Sequence, residues 1–214
     1  MEIEFAVDLD SEEDDLPVFN VLQVRPMVVE QVGEETDLEP EHVEQAVIES
    51  PKVLGHGARE DVMDIVVIDP RQFDRSRTVE AAGHVAEINR QLLAQDRTCV
   101  LIGPGRWGSR DQWLGIPVAW SQISAARVIV ETDFTDLEVE PSQGSHFFHN
   151  LACFGIPYFT VHQNRGEGKI DWDWLASLEV VEERMDGTLR HLRAPAPLRV
   201  LVDGRIGHGV ILPG

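Results

Sequence analysis

The chain has 214 residues, 43% of them hydrophobic, which suits one ordinary domain plus a smaller piece, or two small domains with a buried core. Residues 1–50 hold 16 of the 38 acids against a single base, Arg25, so this stretch carries −15 of the formal −20; it repels polyanions and excludes nucleic acid as a partner. No apolar run reaches membrane-spanning length, and the acidic start lacks the basic and apolar regions of a secretory signal, so a cytoplasmic protein without a membrane partner is expected.

Glu2-Ile3-Glu4-Phe5 and Val21-Leu22-Gln23-Val24-Arg25-Pro26 read as two β-strands. Strict alternation in the second puts Gln23 and Arg25 on one face with Phe19, Val21 and Met27, and antiparallel pairing can bring Glu4 to that face. A carboxylate there can hold a hard divalent ion, while the arginine fork and the glutamine amide match phosphate oxygens. The plainer alternative is a solvated strand face.

Gln31 to Pro40 reads as an acidic linker broken by Gly33 and Pro40, followed by a short helix from Pro40 to Glu49 that Ser50-Pro51 ends. Met63 to Ile68 predicts a buried strand stopped by Asp69-Pro70. The spacing of Ala81, Val85, Ile88 and Leu92 predicts a helix over Thr78–Gln95, with Thr78 as its N-cap. Thr98 to Ile102 and Arg127 to Val130 are further apolar strands. A helix is expected from about Ser145 to Ala152, ending at Gly155, then a strand from Tyr158 to His162. The last 40 residues read as an antiparallel meander turning at Asp186-Gly187 and Asp203-Gly204. The class is mixed α/β: a terminal hairpin over residues 1–30, a linker and helix over 31–51, and an α/β domain of unassigned role over 52–214. Cys99 and Cys153 have neither disulfide nor metal spacing and are expected to be buried thiols.

Gly103-Pro104-Gly105-Arg106-Trp107-Gly108 matches G-x-G-x-x-G after a strand. The dinucleotide reading fails because Ser109 to Pro117 is broken by glycine and proline, and no helix can start within the glycines. What survives is a loop in which Gly103, Gly105, Arg106 and Ser109 could hold an anion, or a tight reversal anchored by Trp107 and Trp113. His146 and His149 lack a third metal ligand at a known spacing, and His56 between two glycines is a turn residue. Ser142-Gln143-Gly144-Ser145 reads as a helix cap. No nucleophile motif is present.

Glu2-Ile3-Glu4-Phe5-Ala6 and Leu22-Gln23-Val24-Arg25-Pro26 resemble the closing D/E-I-E-[FW] and L-Q-x-R-P motifs of the ATP-grasp domain in phosphoenolpyruvate synthases and pyruvate phosphate dikinases. The resemblance implies that Glu4 binds the nucleotide's Mg2+ and that Gln23 and Arg25 contact the phosphates of ATP, with Arg25 in a catalytic role. The acidic insert Asp8 to Asp15 lengthens the family's spacer. Leu54-Gly55-His56-Gly57, Leu101 to Ser109, Leu114 to Val118 and Pro141 to Phe148 are similar to the tail of large PEP/pyruvate-binding proteins, a tail to which the resemblance assigns no chemistry.

Neither the earlier part of an ATP-grasp domain nor a T-x-G-G-x-x-[SC]-H phosphohistidine motif is found, so the chain looks like the C-terminal piece of a larger protein. The resemblance then implies an ATP-dependent phosphotransferase acting on pyruvate or phosphoenolpyruvate through a missing N-terminal portion, with the isolated chain inactive. The alternatives are a non-catalytic anion-binding regulatory domain and a structural docking domain.

Overall fold

The computed structural model describes residues 2–8, 18–25, 37–137, 139, 151 and 154–214. The fold is mixed α+β, and the chain divides into two compact units, Met1–Glu30 and Gln31–Gly214.

The first unit is an antiparallel hairpin of β1 (Glu2–Asp8) and β2 (Val18–Arg25). Its register changes between Glu4 and Phe5: Glu4 lies opposite Gln23, but Phe5 lies opposite Val21, leaving Leu22 as the extra residue of a β-bulge. The strict alternation expected for β2 is therefore broken. Val21 and Phe19 pair with Phe5 and Val7, while Gln23 and Arg25 pair with Glu4 and Glu2.

The second unit begins with α1 (Pro40–Gln45), then β3 (Ile48–Ser50) and β4 (Val53–Leu54). The helix expected to run to Glu49 stops early because Val47 and Ile48 are drawn into the core and β3 pairs with the distant C-terminal strand. Next come β5 (Gly57–Ile68), α2 (Thr78–Ala94), β6 (Cys99–Pro104), and the short β7 (Arg106–Trp107) and β8 (Gly115–Ile116). They are followed by β9 (Ala126–Thr132), β10 (Tyr158–Val161), β11 (Lys169–Ile170), α3 (Trp172–Ser177), β12 (Glu179–Arg184), β13 (Leu189–Asp203) and β14 (His208–Leu212). Thr78 is the first residue of α2, not its cap. The N-cap position falls on Arg77, and the Thr78 hydroxyl donates to the Gln112 carbonyl at 2.8 Å.

One sheet runs β11-β3-β14-β13-β5-β6-β9-β10-β4, with β12 added alongside β13. Its centre, β5-β6-β9-β10, is parallel and its flanks are antiparallel. Only Pro51 and Lys52 separate β3 from β4, yet β3 pairs with β14 and β4 with β10. The sheet must therefore curl until its ends meet. The Ser50 hydroxyl donates to the Thr160 carbonyl, and the Thr160 N–H donates to the Lys52 carbonyl at 2.9 Å, fastening β10 to that corner.

Curling gives two large cores, beside a small cluster of Ala46, Leu201, Val210 and Leu212. Inside lie Val67, Val100, Ile102, Val128, Val130, Phe159 and Val200, joined by Leu175 of α3 and by Leu178. Outside, α2 lays Ala81, Val85, Ile88 and Leu92 over Val66, Leu101 and Ile129. Each fully buried Val, Ile or Leu contributes roughly 1.5–3 kcal/mol. Among the described residues no helix is long and apolar enough to cross a membrane.

Candidate functional site

In the hairpin the backbone register sets Glu4 opposite Gln23 and Glu2 opposite Arg25. The side chains of Glu4 and Arg25 lie outside the described residues. The described large apolar side chains are all exposed: Ile3, Phe5, Val7, Val18, Phe19, Val21, Leu22 and Val24 at 41–66%, with Phe5 stacked on Phe19 at 4.8 Å.

In the second unit, the glycine-rich loop is a reversal rather than a helix start, since β7 pairs in parallel with β8. Two glycines are required by contact. A Cβ on Gly115 would lie 2.0 Å from the Arg106 carbonyl oxygen, and Gly105, at φ +67°, would press on Phe134 at 2.4 Å. The backbone donors of the loop are spent on the protein. Gly105 N–H donates to Thr132 O at 2.7 Å, Arg106 N–H to Leu114 O at 2.9 Å, Gly108 N–H to Ile116 O at 2.8 Å and Trp107 N–H to Glu131 Oε1 at 2.8 Å. Ser109 Oγ donates to the Asp111 carbonyl at 2.8 Å. An anion held by Gly103, Gly105, Arg106 and Ser109 would have to compete with these bonds, which seat Trp107 and address Glu131.

Glu131 belongs to a set of polar residues at alternate positions on two adjacent parallel strands. Glu131 and Asp133 sit on or just after β9, and Tyr158, Thr160 and His162 on or just after β10, in an otherwise apolar run. Side chains two apart share a face, so the apolar partners Val128, Val130, Phe159 and Val161 enter the inner core while the polar set faces the other way. In the sequence these segments read as plain strands; the signal available there is E-T-D and Y-F-T-V-H closing two apolar runs.

Glu131 is fully buried. Burial pushes its carboxyl up to about 7, against the opposing pull of the Tyr158 hydroxyl, the Trp107 N–H and the Arg106 charge. Burial and the neighbouring carboxyl raise the Tyr158 hydroxyl well above its ordinary value. One register step beyond, Asp133 Oδ1 lies 2.7 Å from His162 Nδ1, with the two side chains only 5% and 4% exposed. A carboxylate on Nδ1 holds the proton there and leaves Nε2 as an acceptor or base. Asp133 Oδ2 is buried and has no hydrogen-bond partner among the described residues.

The end of β5, separated from β9 by β6, carries Asp69, whose carboxyl is lowered despite burial by a forked contact from Arg71, at 2.9 and 2.7 Å, with Arg190 nearby. Arg71 also stacks over Trp172. His56 remains a turn residue, accepting from the Gly204 N–H at 3.1 Å. Cys99 is buried, and its thiol is pushed up to about 12 by that burial. The helix expected near Ser145, the Ser142 to Ser145 cap, His146, His149 and Cys153 lie outside the described residues. Among the described residues no three His, Cys, Asp or Glu side chains are grouped to hold a metal ion. Compared with known proteins, the chain matches no family model, no curated protein and no solved structure.

Proposed function

We propose that the chain is the C-terminal part of an ATP-dependent phosphotransferase resembling phosphoenolpyruvate synthase and pyruvate phosphate dikinase, and that its hairpin contributes the contacts to the nucleotide's phosphates and metal. In this reading Gln23 and Arg25 bind phosphate oxygens of ATP, Arg25 offsetting charge on the transferring group, and the rest of the nucleotide site and the pyruvate site come from a portion N-terminal to residue 1. Glu4 would hold Mg2+; one carboxylate suits an ion that keeps its waters and takes substrate phosphates, and the ion would neutralise phosphate charge.

The supporting observation is the hairpin itself. Its backbone register sets Glu4 across from Gln23, two residues from Arg25, and its apolar side chains are uncovered. An isolated two-stranded hairpin is marginal in water, and an exposed apolar set of this kind suits a hairpin that completes a larger sheet. The experiment is Arg25→Ala in the full-length polypeptide. A fall in kcat/KM for ATP of about 100-fold is expected, the scale for removing one preorganised charge contact; ATP turnover equal to wild type would sink the assignment. The same exposed face also suits a docking role without chemistry. Neutrality of Arg25→Ala combined with loss of assembly in Phe5→Ser would favour that second reading.

A further inference from the structure

From the second unit alone we infer that His162 and Asp133 form the base of a separate ligand site, one that takes a small oxyanion still carrying an O–H, such as a protonated phosphate group. This goes beyond the hairpin's proposed role and does not depend on it.

Three observations converge. The first is topology. β5, β6, β9 and β10 are parallel neighbours, registered so that Ile102 lies beside Val67 and Val130, and Thr132 beside Pro104 and Val161. The chain therefore leaves all four strands at one edge, and Gly105, Asp133 and His162 are the first residues out of three of them. The region beyond the carboxyl ends of parallel strands is where α/β sheets gather ligands.

Charge is the second. In a chain of net charge −20, the segments leaving this edge bring Arg71 and Arg75 after β5, Arg106 after β6 and Arg165 after β10. These segments also lean on one another: Arg75 pairs with Asp136 at 2.7 Å and lies over Phe134, and the Thr135 hydroxyl donates to the Pro70 carbonyl at 2.7 Å. Arg71 forks onto Asp69 and Arg75 pairs with Asp136, so these arginines offset the acids of this edge and spare an oxyanion the repulsion that the chain's net charge sets up elsewhere.

The third observation selects the kind of oxyanion. Asp133 is more than nine-tenths buried, its Oδ1 is taken by His162, and its Oδ2 is a buried acceptor without a donor among the described residues. A buried, unmatched carboxylate oxygen is costly, and a ligand O–H relieves it. An oxyanion without a proton would instead set acceptor against acceptor. In its neutral form His162, with Nδ1 turned to Asp133 Oδ1, offers Nε2 as a second acceptor for such a hydroxyl. A purely structural Asp133–His162 clamp would show no preference of this kind.

The test is to titrate the 15N-histidine-labelled chain with inorganic phosphate and, separately, with sulfate at neutral pH, following the His162 ring nitrogens assigned through His162→Gln. Phosphate keeps a P–OH there and sulfate does not. The expected result is saturable perturbation of His162 by phosphate, with sulfate weaker by roughly tenfold to a hundredfold, the scale of one unmatched buried polar group. Asp133→Asn keeps the acceptor toward Nδ1 and places an N–H where Oδ2 was, so the preference should vanish or turn toward sulfate. A His162 signal indifferent to both anions in the wild-type chain would overturn the inference, as would equal affinity for the two. The comparison of the two anions needs only the wild-type chain, so it decides the matter even where a variant fails to fold.

Discussion

Strands β5, β6, β9 and β10 are covered on both faces, by the inner core on one side and the core under α2 on the other, whereas β1 and β2 leave eight large apolar side chains exposed. Both regions are built from comparably apolar strands, so the difference lies in what surrounds them. The curled sheet finds its cover within residues 31–214 by bringing β4, at one end, round to β3, next to the end strand β11. In the hairpin the described apolar side chains are exposed, and stacked Phe5 and Phe19 shield each other only in part. Substitutions should therefore cost much in one region and little in the other.

The largest effect belongs to the inner core. Phe159 is fully buried among Val53, Val100, Val130 and Ile211. Phe159→Ala should lower the free energy of unfolding by about 3–5 kcal/mol, since the cavity cannot collapse within a sheet that meets itself. Urea denaturation followed by circular dichroism measures it. A cost below about 1 kcal/mol would mean that the sheet's ends are not fastened at Ser50, Lys52 and Thr160.

Next comes Glu131, through pH. Its ordinary value is 4.5 and its folded value about 7, set chiefly by burial. Below 4.5 both folded and unfolded chains hold the proton and nothing changes. Between 4.5 and about 7 the unfolded chain releases the proton while the folded chain retains it, so stability falls as pH rises, by on the order of 3 kcal/mol in all, and the loss is complete above about 7. The arginine-paired carboxylates act in the other direction and elsewhere. Asp69 is lowered from 3.8, so its contribution is lost only as pH falls below that value. The two windows are separate. Glu131→Gln should flatten the fall between 4.5 and 7 in thermal-unfolding profiles taken across pH; a fall of the same size in the variant would assign it to another group.

The same contrast governs what could be read in the residues. The central strands and α2 were legible because burial on a sheet face or under a helix leaves apolar runs or a 3.6-residue period, and Asp186-Gly187 marked a real turn, with Asp186 and Gly187 at positive φ. The end of α1 was not, since β3 exists only through pairing with two distant strands, β11 and β14. α3 escaped notice because six residues are too few to show a period, though Asp171 capping the Trp174 N–H at 2.8 Å left a local trace. The Glu131, Asp133, Tyr158 and His162 set was hidden by the strands that carry it. An acid after valines reads as the end of a strand until the neighbouring strand is known to bring a tyrosine or histidine alongside.

The smallest effect on stability should come from the hairpin, and it sharpens the comparison most. Phe5 and Val21 pair across the strands and are 56% and 54% exposed, so Phe5→Ser with Val21→Ser removes little that folding buries. The second unit should unfold within about 0.5 kcal/mol of wild type, as surface substitutions do. Any loss should be seen instead where the hairpin meets a larger sheet, as weaker assembly with the nucleotide-binding portion proposed to precede it. If the double substitution lowered the unfolding free energy of residues 31–214 by several kcal/mol, the apolar side chains would be covered by the chain's own second unit. The hairpin would then have no surface to offer a partner, and the distinction between a self-covered sheet and an uncovered one would be lost.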